Sequence, residues 1–204
     1  MTSPASSTDP WLYVVTDVEV DGPWPGPSSM RAFASVAVRA DGSVVDEFEA
    51  VLEPLPGAAP DPDTHAWFQT HPEAWAAATT DPEPVPQVLD RWVTWVRALP
   101  RPRAFAASPV VFDGIWMDYY LRRFTRCGVV SGPYETDPLF DHGAVCIRSY
   151  AAAVTGRPVG DISPHTLPRE WFGDVPHSHR AIDDARGYAA LLTELFSRSG
   201  AVRP

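Results

Sequence analysis

The stretch WLYVVTDVEV, residues 11–20, decides how this chain is read. It is rich in β-branched and aromatic residues, as a strand buried on both faces would be, yet it carries two acids, Asp17 and Glu19. Side chains alternate along a strand, so both carboxylates point to the same face. Burying one uncompensated charge among valines is costly, and two like charges together are worse. A hard divalent cation such as Mg²⁺ or Mn²⁺ relieves that cost, because it takes oxygen ligands readily. The other reading ends the strand at Thr16 and leaves both acids at a solvated edge.

Outward from this strand, residues 21–29 (DGPWPGPSS) are a turn-rich loop. Trp24 or Met30 could overhang the end of the strand from there, or the loop is a Pro-rich surface turn. Residues 31–40 and 43–54 read as two strands joined by the Asp41-Gly42 hairpin signal. Residues 55–77 are irregular at first and then form short helices. Apolar residues at 88, 89, 92, 93, 96 and 99 give helical spacing over 84–99. A short strand lies within 103–113, and helices follow over 113–128 and 143–156, stopped by Gly128 and Gly156. The last helix runs from about Arg180 to Ser197. This order predicts an α/β fold, a mixed sheet covered by helices.

Composition narrows the function. At 204 residues with 45% hydrophobic and 21% charged residues, the chain suits one domain over 11–198. A polar arm is expected over 1–10 and a flexible tail over 199–204. The first ten residues lack the basic and apolar regions of a secretory signal, and no apolar run is long enough to span a bilayer. Cys127 and Cys146 are the two cysteines, without C-x-x-C spacing, which predicts free thiols in a reducing cytoplasm. All 16 basic residues are arginine, and the net charge of −10 does not suit long duplex nucleic acid.

Two further segments carry acids. Asp113, in PVVFDGIWMDYYL (109–121), lies where a strand gives way to a helix, and is either a functional acid or a helix cap. Asp118, one turn on, is a weaker alternative. HSHRAIDDA (177–185) opens the final helix. At about 100° per residue, Ile182, Ala185, Tyr188, Ala189, Leu192, Leu195 and Phe196 form its apolar face. Asp184 falls on the border of that face and can reach a buried site, whereas Asp183 points to water. His179 sits ahead of the helix, able to overhang the same site, and His177 is expected further out in a loop.

A strand D-x-E, an Asp at a helix start and H-x-x-x-x-D on a final helix resemble the three motifs of the DEDDh branch of the DnaQ-like 3′→5′ exonucleases. That group includes oligoribonuclease, ribonuclease T and proofreading subunits. VVTDVEV, VVFDGIWMDYYL and HRAIDDA carry the likeness, which spans residues 11–197. It implies a ribonuclease-H-like fold, with Asp17, Glu19, Asp113 and Asp184 as metal ligands for two Mg²⁺ or Mn²⁺ ions and His179 as general base. It further implies single-stranded 3′ ends as substrate and allows a homodimer. Val20 stands where Thr is common after D-x-E, Pro109 where Asn is common, and Trp116 where Phe is common. Val20 and Trp116 are therefore expected to line the nucleotide pocket. Trp67 and Phe68 correspond in order to the segment that lines the family's nucleotide pocket, and either stack on unpaired bases or pack in the core. His65 and His71 have no partner at zinc spacing and read as loop residues.

Overall fold

The computed structural model describes residues 11–132, 135–175 and 177–200. The expected arm over 1–10 and the last four residues of the expected tail lie outside that range. Three antiparallel strands open the chain: β1 (Leu12–Val20), β2 (Met30–Arg39) and β3 (Val44–Val51). Two short helices follow, α1 (Pro62–Gln69) and α2 (Pro72–Thr79), then the amphipathic α3 (Val85–Ala98). Next come β4 (Arg103–Ala107), α4 (Val110–Phe124), the two-residue β5 (Val145–Cys146), α5 (Ile147–Thr155) and α6 (Ala181–Ser199). The sheet order is β3-β2-β1-β4-β5, with β4 parallel to both of its neighbours.

Strand alternation divides the core into two layers. Leu12, Val14 and Val18 pack with Val88, Trp92 and Val96 of α3 and with Trp116, Met117 and Leu121 of α4. Val15 and Tyr13 face the other way, onto Ile147 and Ala151 of α5 and Ala185, Leu192 and Phe196 of α6. Two hydroxyls in the middle of the sheet are satisfied: Thr16 and Ser35 pair at 2.8 Å, and Trp92 Nε1 donates to Ser35 Oγ at 3.0 Å. The mixed sheet between helices is the architecture that the alternation and the element order lead one to expect.

Three boundaries differ from the sequence reading. The α4 helix begins at Val110, with Pro109 as its extended N-cap, so Asp113 lies inside the first turn instead of capping it. Its backbone leaves the helix at Thr125, well before Gly128. The predicted helix over 143–156 loses its first turn to β5, because Val145 and Cys146 pair with Ala106 and Ala107. Gly156 does end α5 in the left-handed conformation, φ 68°, as a glycine stop should.

The topology opens a cleft. Along β1 the parallel partner β4 reaches only as far as the Val15–Ala106 pair. Beyond it the chain turns into α4, and the β4-side edge of residues 16–20 is left without a strand. On the opposite edge, β2 stays paired as far as Val20, with a register shift between Glu19 and Val20. A crevice at the carboxyl end of diverging strands is where α/β sheets place their ligands.

Candidate active site

Asp17 and Glu19 share the parity of Tyr13 and Val15, so they face α6 across this crevice. Asp184, in the first turn of α6, meets them there. Carboxylate oxygens of Asp17, Glu19 and Asp184 all lie within 4.8 Å of one another. Asp184 is 5% exposed, as its place on the border of the apolar face leads one to expect. Asp113 arrives from α4, 4% exposed, where backbone N–H groups at its own position and at Val18 and Ser108 favour the ionised carboxylate. The helix therefore caps the open edge of β1 with a carboxylate, which fixes that acid beside the other three.

Electrostatics show how costly this gathering is. Burial, then the charges of Asp113, Glu19 and Asp184, push the Asp17 carboxyl well above its ordinary range. Glu19 is pushed up to about 8 by burial and then by Asp184 and Asp113. Asp113 rises to about 7 through burial, in spite of its backbone hydrogen bonds. No arginine among the described residues forms an ion pair with Asp17, Glu19 or Asp113. Four acids on three elements, with no arginine on Asp17, Glu19 or Asp113 and, among the described residues, only His177 on Asp184, are the donor set that hard divalent ions take. The solvated-edge reading of β1 fails, because the strand continues through Glu19 and both acids look inward.

His179 stands over the cluster in the left-handed backbone region, φ 55°, which histidine tolerates better than most side chains. Its ring lies 5.0 Å from Trp67, 5.5 Å from His71 and 4.6 Å from His177. Burial, then the neighbouring His177, lowers its pKa below the usual imidazole value. It is therefore neutral at neutral pH and able to accept a proton.

His177 and Asp183 need correction, since neither is an idle surface group. His177 Nδ1 lies 2.8 Å from Asp184 Oδ1, and this hydrogen bond raises the His177 pKa. Ser178 Oγ donates to Asp183 Oδ2 at 2.6 Å, pinning the loop that carries both histidines to the start of α6. Asp183 also lies 3.8 Å from Arg186, which pairs with Glu47 on β3. Because an amide keeps the acceptor oxygen, Asp183→Asn is expected to preserve the loop. Asp183→Ala is expected to lower the stability by about 0.5–2 kcal/mol, as loss of a cap does. Thermal melts of the two variants measure the difference.

The expected nucleotide-pocket residues divide. Trp67 is 38% exposed and adjoins His179, but one of its faces is stacked at 4.2 Å on His71. Phe68 is 3% exposed and supports Trp67 and Trp75 from below, so it offers no free face. Trp116 is 1% exposed: it lies in the core beside Tyr120, one helical step deeper than Asp113, and does not reach the crevice. Val20 packs against the α3/α4 layer, away from the acids. Met30 is buried at the start of β2 and Trp24 projects outward. His71 is not a plain loop residue: it is the N-cap of α2 and a wall of the site.

Sequence reasoning also missed Tyr188, counted only as core. Its hydroxyl pKa is raised by burial and then by Asp17, Asp113 and Asp184, which places it against the acid cluster. A cavity of about 400 Å³ adjoins Asp184 and is lined by His165, Arg169, Phe172, His177 and Tyr188. A larger groove of about 800 Å³ runs along α4 past Ile115, Tyr119 and Val130, and holds none of the four acids.

No protein-family model matches the sequence, and no curated protein does. Solved structures share the fold. The nuclease domain of 3'hExo, a DEDDh family member bound to rAMP, aligns with TM-score 0.66 at 12% identity over 97% of this chain and 96% of that one. E. coli exonuclease I in complex with a dT13 oligonucleotide aligns with TM-score 0.63 at 16% identity over 94% of this chain and 42% of that one. A 3'-exonuclease that recognises the 3' end of a histone mRNA stem-loop aligns with TM-score 0.64 at 11% identity, over 92% and 81%. This chain thus spans less than half the length of exonuclease I. The fold is the ribonuclease-H-like fold of these exonucleases, a mixed five-stranded sheet flanked by helices.

Proposed function

We propose that this chain is a cytoplasmic, divalent-metal-dependent 3′→5′ exonuclease that removes nucleotides from single-stranded 3′ ends and releases 5′-monophosphates. The observation that carries this reading is the convergence of Asp17, Glu19, Asp113 and Asp184 under His179, on the fold those exonucleases share. The neighbours bound to rAMP and to dT13 support an unpaired nucleotide substrate without choosing between RNA and DNA. The net charge of −10 favours RNA or short oligonucleotides over long duplexes.

Asp17, Glu19, Asp113 and Asp184 would hold Mg²⁺ or Mn²⁺, and two such ions would supply an activated water and stabilisation of the departing 3′ oxygen. The chain's own residues do the rest. His179 accepts the proton of the attacking water at a ring nitrogen, and its neutral state at working pH follows from its surroundings. Trp67 flanks the histidine with its exposed edge and limits where the terminal base can lie. Asp113, in the first turn of α4, brings its carboxylate to the open edge of β1 from the α4 side.

The test is degradation of single-stranded RNA and DNA, labelled at either end, with Mg²⁺, Mn²⁺ or EDTA. Early release of the 3′ label as a mononucleotide, abolished by EDTA, is the expected result. No divalent-dependent loss of 3′ label on any substrate would leave a catalytically silent module that binds nucleic acid or a protein.

A further inference from the structure

We infer that His177, His179 and Asp184 form a separate transition-metal site, suited to Zn²⁺, which shares only Asp184 with the acid cluster. One donor atom from each of the three residues lies within 4.8 Å of the other two. The His177–Asp184 side is already closed at 2.8 Å, and the two imidazole rings are 4.6 Å apart. Ligands about 2.0–2.2 Å from a tetrahedral zinc lie about 3.3–3.5 Å from one another, so the ion would replace the proton shared by His177 and Asp184, open that pair by about half an ångström and draw His179 inward.

The donor chemistry separates this site from its neighbour. Oxygen-only sites suit Mg²⁺ and Mn²⁺, while two imidazole nitrogens and one carboxylate suit Zn²⁺. The loop geometry favours the same arrangement. Ser178, between the two histidines, is pinned to Asp183 at 2.6 Å, so both rings are held on the Asp184 side at the start of α6. His71 and His165 stand outside the pair, 5.5 Å from His179 and 6.4 Å from His177. They put further imidazoles along the way in. A fourth position is left for water, as in three-ligand zinc sites.

One consequence rests on the exonuclease reading; the site itself does not. Zn²⁺ held by His179 occupies the nitrogen that would accept the proton, so Zn²⁺ would block the same reaction that Mg²⁺ supports.

The experiment uses the full metal-free chain, with Zn²⁺ measured by competition against a chromophoric chelator and Co²⁺ as the spectroscopic probe. One Zn²⁺ per chain is expected, with nitrogen-ligated Co²⁺ absorption. Affinity is expected to fall at least about tenfold in both His177→Ala and His177→Asn. Asparagine can keep a hydrogen bond to Asp184 but supplies no imidazole, so a parallel loss in both variants reports a missing ligand and not a disturbed loop. Asp17→Asn is expected to bind Zn²⁺ within a few-fold of the unsubstituted chain, by the same donor argument. Equal affinity in the His177 variants and the unsubstituted chain overturns the proposal. So does loss of binding in Asp17→Asn, which would place the ion among the acids. A chain that binds Zn²⁺ as described but degrades no substrate loses the exonuclease reading and keeps this site.

Discussion

Replacing Asp113 with asparagine is expected to raise the melting temperature of the metal-free protein at pH 8 and to abolish divalent-dependent hydrolysis. Both effects have one cause. Asp113, Glu19 and Asp17 all have pKa values raised by burial, to about 7 for Asp113 and about 8 for Glu19. An unfolded carboxylate ionises near pH 4, by about the model-peptide values. A raised folded pKa therefore contributes stability that is fully present below about pH 4 and is lost as pH rises through 7 to 8. At pH 8 the metal-free fold carries a repulsive cluster. The Asp113→Asn change removes one charge, keeps a side-chain acceptor oxygen of nearly the same shape, and offers an amide donor to the remaining acids. A gain of about 1–4 kcal/mol is expected at pH 8, at about 2–4 °C per kcal/mol, shrinking toward zero at pH 4. The same change removes a metal ligand, and turnover should drop by about 10³-fold or more, the scale of losing a group that stabilises developing charge. Mn²⁺ should stabilise the unsubstituted protein far more at pH 8 than at pH 5, because binding needs deprotonated ligands. Calorimetric scans at the two pH values, with and without Mn²⁺, decide the matter. A variant that melts below the unsubstituted protein at pH 8 would show that Asp113 is a structural acid.

Much of this was legible in the chain because periodicity carries information about faces. Alternation in VVTDVEV put Asp17 and Glu19 on one side, and helical phase separated the buried Asp184 from the more open Asp183. Phase could have placed Trp116 as well. It lies on the stripe that continues through Tyr120 into the core, and its reading as a pocket wall followed the family pattern instead. What periodicity does not encode is the path of a loop. Residues 177–180 have no repeat, and the contacts of His177 with Asp184 and of Ser178 with Asp183 depend on the left-handed backbone of His179. The two-residue β5 is too short to alternate visibly and merges into the apolar start of α5. Burial cost singled out Asp17 and Glu19, helical phase Asp184, and only the family resemblance Asp113; the histidines around them are stable in water or in a site, so the sequence leaves their positions open.

His179→Ala is expected to lower kcat by about 10²–10⁴-fold, the usual contribution of a positioned general base. The four acids and their metal affinity should survive, since His179 is not part of the oxygen cluster. The stabilisation by Mn²⁺ at pH 8 should therefore persist in His179→Ala while turnover is lost, the reverse of the stability signature of Asp113→Asn. The pH profile adds an independent reading. A base must be neutral to act, and burial together with His177 holds the His179 pKa below the ordinary imidazole value. With Mn²⁺ saturating at every pH, so that the four acids stay ionised, the acid limb of kcat should accordingly fall below about pH 6.5, the unperturbed histidine value, and that limb should be absent from the residual activity of the alanine variant. Trp67 supplies a control. It touches His179 edge-on at 5.0 Å but titrates nowhere in this range, so Trp67→Ala should leave the limb in place and change chiefly KM. An alanine variant that keeps both its turnover and its acid limb would move the proton acceptor away from His179, and would leave the histidine as a wall that Trp67, His71 and His177 hold over the metal site.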